Sequence, residues 1–361
     1  MIGSRGIDNQ YGGIEKTLTE ICPRLVRRGH EVVVFGQDNG RRTKSLYKGV
    51  TLIHVAGMSG KHAETLSRSA LSTFRSMAKG FDILHFHAQG PGIFSSMARL
   101  FGVKSVVTVH GLDWKRAKWS PLARTSLKIA EKVAVKCADE IVVVAKNLQD
   151  YFAGAHGVRT QYIPNGLPET VCDSHVDRLE SFGLSTNEYV FFANRLEPGK
   201  GCQDLIAAFN GIATEKKLVI AGDNRYQSAF IQELKKSADP KKVIFTGHIT
   251  GELLAQLYRN AYLFILPSYS EGLSNALLEA IGYRKYPLVS DIQGNMEVVE
   301  QPEFSFKAGN VSDLQCKLTA LLDNEAKVRE GEAKIFLEAR KKYNWDSVVD
   351  QYEKTYSSLA K

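Results

Sequence analysis

The chain has 361 residues and a mass of 40.1 kDa, with 43% hydrophobic and 24% charged residues. This composition is typical of a soluble globular protein, and the length accommodates two domains with separate cores. No stretch approaches the ~18 consecutive apolar residues of a membrane span, and no secretory signal opens the chain. The five cysteines are scattered without a Cys-x-x-Cys spacing, which argues against a disulfide framework or a structural zinc site. We therefore expect a cytoplasmic protein.

Charge is divided unevenly along the chain. Residues 1–165 hold 24 Lys and Arg against 12 Asp and Glu, a net charge of +12, whereas the remainder has a net charge of −4. A basic half indicates an anionic partner: a nucleic acid, a membrane surface or a phosphorylated substrate. The sequence contains no nucleic-acid recognition motif, so we expect no nucleic-acid partner.

Short apolar runs alternate with helical patterns along the whole chain, which predicts two α/β halves with parallel sheets and right-handed crossovers. The predicted strands of the first half lie at 31–35, 51–55, 83–87, 105–109, 140–144 and 161–163. Those of the second half lie at 189–193, 217–221, 243–246, 263–266, 286–290 and 304–306. Two prolines and a glycine in the segment 164–168 place the domain junction after residue 165.

The beginning of the chain departs from the usual pattern of a doubly wound domain. Only Met1 and Ile2 precede Gly3, whereas a central first strand usually needs about five residues. We therefore expect a shortened first strand, with fewer central backbone hydrogen bonds and lower stability.

The clearest candidate site is the segment 267–279, which directly follows a predicted strand. The pattern predicts a helix that begins with Leu273, Ser274 and Asn275. The free amides of a helix start can bind a diphosphate. Glu271 lies just before this helix and Glu279 about two turns along it, so the two carboxylates could accept hydrogen bonds from a sugar and a ribose. The alternative is a pair of solvated glutamates beside a helix.

A second candidate is the loop 194–201, which lies between a predicted strand and a helix predicted to begin near Cys202. Arg195 and Lys200 would leave the carboxyl edge of the same sheet, where open α/β sheets bind ligands. Two cations there can neutralise the charge that develops on a departing nucleotide diphosphate. The alternative is a loop with two solvated charges.

Two weaker signals lie in the first half. Gly12 and Gly13 stand at a loop-to-helix junction, where glycine allows the backbone to approach a ligand closely. His110 ends a buried-type strand and precedes Gly111, so it can face a cleft between the domains and hydrogen-bond a sugar hydroxyl. A plain helix start and a core histidine are the respective alternatives.

Other patterns limit the chemistry that we expect. His85 and His87 lie two residues apart, so a strand points both to one face, but no further metal ligand stands at a matching spacing. The sequence contains no Asp-x-Asp, which removes one common metal–diphosphate clamp, and we expect no metal cofactor. It also contains no Gly-x-Gly-x-x-Gly after a strand, no P-loop and no Gly-x-Ser-x-Gly elbow, which argues against dehydrogenases, P-loop enzymes and α/β-hydrolases.

These patterns together resemble the GT-B glycosyltransferases of the retaining family 4, the glycosyl transferases group 1, over nearly the whole chain. The resemblance rests on Gly12-Gly13-Ile14-Glu15, 28–32, His110-Gly111, Pro164-Asn165-Gly166, Arg195 with Lys200-Gly201, and Glu271 with Glu279. The opening Ser4-Arg5-Gly6-Ile7 with Tyr11-Gly12-Gly13 is similar to bacterial members that build O-antigen, capsule or exopolysaccharide.

The resemblance implies an α/β fold of two doubly wound, parallel-sheet Rossmann-like domains that face a central cleft. The first domain, 1–165, would lie on the acceptor side, and the second, 166–340, would bind the nucleotide sugar. The C-terminal segment 341–361 would form a helix that returns to the first domain.

The family also implies a role for each matched residue of the second half. Arg195 and Lys200 would hold the donor diphosphate, Glu279 the nucleotide ribose, and the backbone near His248 and Ile249 the base. The donor sugar and its phosphate would be held by Glu271, Gly272, Leu273, Ser274 and Asn275.

In the first half, His110 would line the reaction centre, and Gly12-Gly13 would approach the donor phosphate or the acceptor. The family retains the anomeric configuration, and in its expected route a leaving phosphate oxygen accepts the acceptor proton, so positioning and diphosphate stabilisation dominate. The expected partners are a nucleotide-diphosphate sugar and a saccharide or polyprenyl-linked acceptor. The alternatives are an epimerase or synthase on the same fold, or an inactive sugar-nucleotide-binding protein.

Two rows of basic residues in the first half could meet an anionic surface. The first row is Arg124, Lys128, Lys132 and Lys136, and the second is Lys61, Arg68 and Arg75. Trp114 and Trp119 precede the first row, a composition typical of an interfacial helix on anionic lipid. We therefore expect peripheral attachment to the inner face of the membrane. The alternative is a solvated charged face on helices that pack against the sheet.

Overall fold

The computed structural model describes residues 1–7, 12–38, 40, 44–58, 63–115, 119–169, 178–224 and 227–360. The chain divides into two compact units. Unit 1 consists of Met1–Asn165 and Asn344–Lys361, and unit 2 consists of Gly166–Tyr343.

Unit 1 alternates helices and strands through its first 165 residues. In chain order its elements are α1 (Gly13–Arg27), β1 (Val33–Gln37), β2 (Lys44–Tyr47), β3 (Val50–Val55), α2 (Ala63–Met77), β4 (Ile83–His87), α3 (Gln89–Gly92), α4 (Ser95–Leu100), β5 (Lys104–Val109), α5 (Pro121–Cys137), β6 (Glu140–Val143), α6 (Lys146–His156) and β7 (Gln161–Tyr162). The strands form a three-stranded sheet, β1-β3-β2, and a four-stranded parallel sheet, β4-β5-β6-β7.

Met1 and Ile2 connect these two sheets. Ile2 pairs in parallel with β4: its N–H donates to the carbonyl of His85 (2.9 Å) and its carbonyl accepts from the N–H of His87 (2.8 Å). On the other side, the N–H of Phe35 in β1 donates to the carbonyl of Met1 (3.0 Å). The expected short first strand is therefore a two-residue segment that lies between β1 and β4 and hydrogen-bonds to both.

Unit 2 contains a single six-stranded parallel sheet in its described part. In chain order its elements are β8 (Tyr189–Ala193), α7 (Cys202–Asn210), β9 (Lys217–Ala221), α8 (Ser228–Ser237), β10 (Val243–Gly247), α9 (Gly251–Asn260), β11 (Leu263–Leu266), α10 (Asn275–Gly282), β12 (Pro287–Ser290), α11 (Gln293–Val299), β13 (Ser305–Phe306), α12 (Val311–Leu322) and α13 (Glu325–Lys342). The strand order is β10-β9-β8-β11-β12-β13. Every residue of β8, β11 and β12 is buried, as in parallel sheets that are covered on both faces.

All twelve predicted strands are present, with ends that differ from the predicted ones by no more than two residues. Strand β2 was not predicted. It is an exposed antiparallel edge strand, joined to β3 by a tight turn in which Lys48 and Gly49 both have positive φ. Such turns usually carry Asn-Gly or Asp-Gly, so Lys48-Gly49 gave a weak signal in the sequence.

The last helix, α14 (Trp345–Leu359), belongs to unit 1. Asn344 caps its start by accepting hydrogen bonds from two backbone N–H groups of the first turn. Its apolar face enters the core of unit 1 through Trp345, Val348, Val349 and Tyr352. Ion pairs attach its polar face to the end of α1, where Arg28 contacts Asp350 (2.6 Å) and Glu353 (2.7 Å).

We predict that replacing Tyr352 by Ala strongly destabilises unit 1, because the side chain is 1% exposed and its hydroxyl lies 3.3 Å from Oγ1 of Thr108. Loss of a buried aromatic ring typically costs about 3–5 kcal/mol. Hydrogen exchange of the β5 amides measures this loss in unit 1 alone. The matched control is Lys354→Ala on the exposed face of α14, which should change the protection by less than about 0.5 kcal/mol. Equal protection in the two variants would contradict the role of α14 in the core.

Candidate active site

The order of strands in unit 2 creates a crevice between β8 and β11. The sheet continues from β8 to β9 and β10 on one side, and from β11 to β12 and β13 on the other. At such a reversal, the loops that follow the two neighbouring strands diverge to opposite faces, and ligands bind at the carboxyl edge between them. The two loops are joined directly, since the N–H of Tyr269 donates to the carbonyl of Gly199 (3.0 Å).

Lys200 and Glu271 meet at this reversal. Nζ of Lys200 donates to Oε1 of Glu271 at 2.7 Å, and Oγ of Ser268 donates to the same oxygen at 2.7 Å. The side chains of Lys200 and Glu271 are only 12% and 11% exposed. The structure therefore brings together two predicted site residues from separate loops, and their charges compensate each other in a largely buried position.

Arg195 follows β8 in the same loop as Lys200. Its side chain is 36% exposed, and Nη2 lies 3.9 Å from Oε1 of Glu197. The backbone N–H of Arg195 donates to Oδ1 of Asn194, which fixes the direction in which the chain leaves the strand. The Arg195 guanidinium thus adds a second positive charge at the sheet edge that holds Lys200.

Helix α10 begins later than predicted. Its first residue is Asn275, and Ser274 is the N-cap, with Oγ accepting from the N–H of Leu277 (3.4 Å). The prediction that Leu273 and Ser274 are the first helical residues was therefore wrong. Serine favours the capping position because its hydroxyl satisfies a helix N–H from outside the helix. Leu273 and Ser274 are buried, whereas Gly272 and Asn275 are partly exposed at the start of α10.

Glu279 lies on α10 beside two tyrosines. The pKa of the buried Tyr258 is raised well above its usual value by burial and by the nearby Glu279 carboxylate, to which it hydrogen-bonds. Tyr283 stacks on Tyr258 with ring centroids 5.5 Å apart and an interplanar angle of 8°. The partly exposed Glu279 carboxylate is thus held against an aromatic pair.

His248 and Ile249 follow β10, the edge strand of the sheet. His248 is exposed and Ile249 is partly exposed. The loops after β9 and β10 are linked, because the N–H of Gly222 donates to the carbonyl of Gly247 (2.8 Å). Both residues therefore lie on the same carboxyl edge as Lys200, two strands away from β8.

A supporting layer behind Glu271 was missed by the sequence analysis. Nδ2 of the buried Asn295 donates to the carbonyl (3.1 Å) and Oγ (3.0 Å) of Ser290, and Oγ of Ser290 donates to the carbonyl of Ser268 (2.5 Å). A Cβ on Gly294 would overlap the carbonyl oxygen of Gly272, so only glycine lets α11 approach this closely. The Gly294-Asn295 pair after a predicted strand was the signal that could have indicated this layer.

In unit 1, the predicted residues lie at the start of α1 and the end of β5. Gly12 is the N-cap of α1 and Gly13 its first residue. The carboxylate of Glu15 packs across this helix start, with Oε2 2.6 Å from where a Cβ of Gly12 would lie and Oε1 accepting from the N–H of Arg5 (2.8 Å). His110 directly follows β5 and is partly exposed.

His85 and His87 form a buried pair on β4, with ring centroids 4.1 Å apart. The ring nitrogens of His85 hydrogen-bond to the hydroxyls of Tyr356 and Thr108, each at 2.7 Å, so neither nitrogen is available to a metal. Burial lowers the pKa of both histidines well below the usual value, so both are neutral near pH 7. Nδ1 of His87 lies 3.2 Å from Nε2 of His110.

A buried carboxylate holds the chain that follows His110. Glu131 is 2% exposed and accepts hydrogen bonds from the side chains of Gln89, Trp114 (3.2 Å), Tyr151 (2.7 Å) and His156 (2.7 Å). Oε1 of Gln89 in turn accepts from the N–H of Asp113 (2.9 Å). Glu131 was missed because a lone glutamate in a lysine-rich helix is typical of a solvated face.

The two basic rows differ in the structure. Arg124, Lys128, Lys132 and Lys136 are all exposed on α5, and Nζ of Lys128 lies 4.5 Å from the ring of Trp114. In the second row, Lys61 lies outside the described residues, and Arg68 is 2% exposed and paired with Glu64 (3.1 Å). The expectation of a second exposed row was therefore wrong, because Arg68 lies on the buried side of α2.

The comparisons with known proteins identify the class of the chain. Residues 11–170 match the family described as Glycosyltransferase Family 4, and residues 177–341 match Glycosyl transferases group 1. Between them the two matches span most of the chain. The protein is a glycosyltransferase. The predicted enzyme class, EC 2.4, and the predicted fold of two Rossmann-like GT-B domains are confirmed.

Two relatives in sequence and one solved structure illustrate the proteins to which the chain is similar. The glycosyltransferase is 22% identical to the phosphatidylinositol N-acetylglucosaminyltransferase gpi3 subunit of Schizosaccharomyces pombe, over 97% of this chain and 78% of that protein. It is 25% identical to the UDP-Gal:alpha-D-GlcNAc-diphosphoundecaprenol alpha-1,3-galactosyltransferase of Escherichia coli, over 71% and 69%. The structure of Anabaena HepE in complex with UDP-glucose aligns with a TM-score of 0.81 and 19% identity, over 97% of each chain.

The matches locate the candidate residues in two domains. Gly12, Gly13 and His110 fall in the Family 4 match, and Arg195, Lys200 and both glutamates of the Glu271/Glu279 pair fall in the group 1 match. In the part of the enzyme that the structure describes, no helix is both long and apolar enough to cross a bilayer.

We predict that Gly201→Ala disrupts the loop that carries Lys200. Gly201 has a φ of +69°, and a Cβ there would overlap the carbonyl oxygen of Pro267. The strain should lower the stability of unit 2 by about 2 kcal/mol or more, measured by hydrogen exchange of the β8 and β11 amides. Gly199→Ala is the matched control, because no atom lies within 4 Å of a Cβ at that position, and its effect should stay below about 1 kcal/mol. If the two variants behave alike, the close approach of the loops does not constrain the site.

Proposed function

We propose that this glycosyltransferase moves a sugar from a nucleotide-diphosphate sugar to a saccharide or polyprenyl-linked acceptor. The reaction retains the anomeric configuration, needs no metal and serves the synthesis of a surface polysaccharide. The observation that carries the proposal is the meeting of Lys200 and Glu271, with Arg195 in the same loop, at the strand reversal of unit 2.

These side chains suit a diphosphate donor. Lys200 and Arg195 supply two positive charges at the sheet edge where α/β proteins bind nucleotides, and they would stabilise the charge that develops on the departing diphosphate. The backbone of Gly272, Leu273 and the capped start of α10 would receive phosphate and sugar oxygens. Glu279 would accept hydrogen bonds from the ribose, and the base would lie against the backbone of the loop at 248–249.

Retention by a same-face route fits the state of Glu271. Its Oε1 already accepts two hydrogen bonds, from Lys200 and Ser268, which makes the carboxylate a poor nucleophile. The acceptor hydroxyl would therefore attack from the side of the leaving group and pass its proton to a phosphate oxygen. The protein contributes alignment of donor and acceptor and electrostatic stabilisation of the diphosphate.

The acceptor class is proposed from unit 1 and from the relatives. The Escherichia coli relative is named for an acceptor linked to diphosphoundecaprenol, and the Schizosaccharomyces pombe relative for phosphatidylinositol. Anabaena HepE was solved with UDP-glucose, which supports a nucleotide-sugar donor. A lipid-linked acceptor would also suit the positive charge of residues 1–165.

Helix α5 offers the surface for such an acceptor. Its four basic residues are exposed, and its single acidic residue, Glu131, is buried, so the outward face carries positive charge alone. Leu122 and Ile129 on the same helix are 79% and 52% exposed. Exposed cations together with apolar side chains are typical of a helix that lies on an anionic lipid surface.

We predict that Arg195→Ala and Lys200→Ala each lower turnover about 10²–10³-fold, because each removes a preorganised charge from the leaving diphosphate. The measurement is nucleotide release from a panel of sugar nucleotides, with lipid extracts and oligosaccharides as acceptors and with an arm in excess chelator. The matched control is Lys307→Ala, an exposed cation that follows β13 on the same sheet and should turn over normally.

The panel also separates the alternatives. Acceptor-dependent nucleotide release that persists in chelator supports the proposal. Interconversion of sugar nucleotides without an acceptor indicates an epimerase, extension of a glucan primer indicates a synthase, and binding without turnover indicates an inactive module. Normal turnover in Arg195→Ala or Lys200→Ala would contradict the diphosphate role, and loss of activity in chelator would contradict the metal-free route.

We predict that the protein co-sediments with anionic vesicles at low salt and leaves them at high salt. Each basic residue near an anionic leaflet contributes about 1 kcal/mol, so four allow weak, reversible attachment. Arg124, Lys132 and Lys136 changed together to Glu should abolish the binding and leave the contact between Lys128 and Trp114 in place.

The matched control for the vesicle experiment makes the same change in net charge on unit 2. It replaces the exposed residues Lys235, Lys236 and Lys241 by Glu, and it should bind like the wild type. If both triple variants lose binding equally, net charge alone is responsible. If the wild type does not bind anionic vesicles at low salt, the basic face of α5 contacts only solvent and the acceptor is soluble.

A further inference from the structure

His87 lies at the carboxyl end of β4 and is fully buried. Its ring is stacked against that of His85, and its Nδ1 lies 3.2 Å from Nε2 of His110. Within the described part of the chain, Nε2 of His87 has no hydrogen-bond partner. These contacts restrict where the protons of the two rings can reside.

Burial and the neighbouring His85 and His110 hold the pKa of His87 well below its usual value, so the ring is neutral and carries a single proton. If that proton were on Nε2, a buried N–H would be left without an acceptor, an arrangement that is rare in folded proteins. If it is on Nδ1, it is donated to Nε2 of His110. The second arrangement leaves only an unused lone pair, and it is the one that the geometry favours.

The partner of a donor must be an acceptor. Nε2 of His110 therefore carries no proton, and the proton of a neutral His110 resides on Nδ1. A nitrogen that already accepts from His87 cannot also take a proton from an acceptor hydroxyl. The contact thus decides which chemistry His110 can perform.

We propose that His87 is a positioning residue that donates from Nδ1 to Nε2 of His110 and so holds His110 neutral, protonated on Nδ1 and unable to act as a base through Nε2. The inference rests on the proposed function and on the role that the family resemblance implies for His110, which would line the reaction centre and contact a sugar. Under it, His110 orients a hydroxyl by hydrogen bonding, and the acceptor proton goes to the leaving phosphate. The reaction then needs no general base in unit 1.

The test is ¹⁵N NMR of the histidine rings in the full-length protein, with His110 assigned from the loss of its signals in His110→Gln. The wild type should show His110 protonated on Nδ1 and not on Nε2. His87→Asn retains an N–H at the position of Nδ1 and should preserve this state. His87→Leu removes the donor and should give a mixture of His110 tautomers.

Activity supplies an independent measurement. His87→Leu should lower kcat about 10- to 100-fold with a smaller change in the KM for the donor, and His87→Asn should restore most of the loss. The matched control is His85→Asn, which alters the same buried layer of β4 without removing the bond to His110. It should leave the His110 tautomer unchanged.

The outcomes separate the two claims. The positioning role is overturned if His110 of the wild type is protonated on Nε2, or if the His110 tautomer is unchanged in His87→Leu. The wild-type spectrum is decisive by itself, so the test holds even if His87→Leu is too unstable for kinetics. The expected spectra without transfer from any sugar nucleotide would overturn the proposed function and leave the His87–His110 bond established. Transfer that is unaffected in His87→Leu would show that the bond does not matter for the reaction.

Discussion

The side-by-side pairing of β8 and β11 is the constraint on which the candidate site of unit 2 depends. Because the two strands are parallel neighbours, the loops that follow them leave the sheet at the same carboxyl edge, and the reversed strand order then directs them to opposite faces around a crevice. Gly201 makes this possible by approaching the carbonyl of Pro267, and the Tyr269–Gly199 hydrogen bond then joins the loops. Lys200 and Glu271 meet as a consequence of this backbone arrangement.

The ion pair has a consequence for how a donor could bind. Its two side chains are largely withdrawn from water, so each charge compensates the other, and removing one partner would leave the other uncompensated. Under the proposed function, a diphosphate that contacts Lys200 would be a second anion beside Glu271, and Lys200 would pair with both. Glu271 meanwhile keeps the hydrogen bond from Ser268 and can accept from sugar hydroxyls. Under the proposed function, donor binding must therefore preserve the contact between Lys200 and Glu271, because a carboxylate left only with Ser268 and sugar hydroxyls would be a buried charge without a cation.

The apolar pattern and the turn residues predicted the strands and the residues that stand at their carboxyl ends, because burial of both sheet faces leaves short, continuous apolar runs in the sequence. They could not predict contacts that depend on strand order: the Lys200–Glu271 pair, the approach of Gly294, or the Ser290–Asn295 layer. They also misplaced the start of α10, since Ser274 can serve equally as a helical residue or as a cap. Arg68 and Glu131 show the same limit for charged residues. Both look solvated in the sequence, yet each lies on the side of its helix that faces the protein and is stabilised there by paired groups.

The burial of Glu131 determines which charges α5 presents on the surface of unit 1. A helix with four basic residues and one acidic residue would present mixed charge if all five faced water. Because Glu131 turns inward to bind Gln89, Trp114, Tyr151 and His156, the outward face of α5 keeps only its cations. The same carboxylate holds, through Gln89, the backbone of Asp113 just beyond His110. One buried residue therefore both fixes the chain next to a candidate reaction-centre histidine and leaves the helix surface uniformly positive. The positive charge of α5 and the position of His110 after β5 are separate properties of unit 1, joined structurally by Glu131.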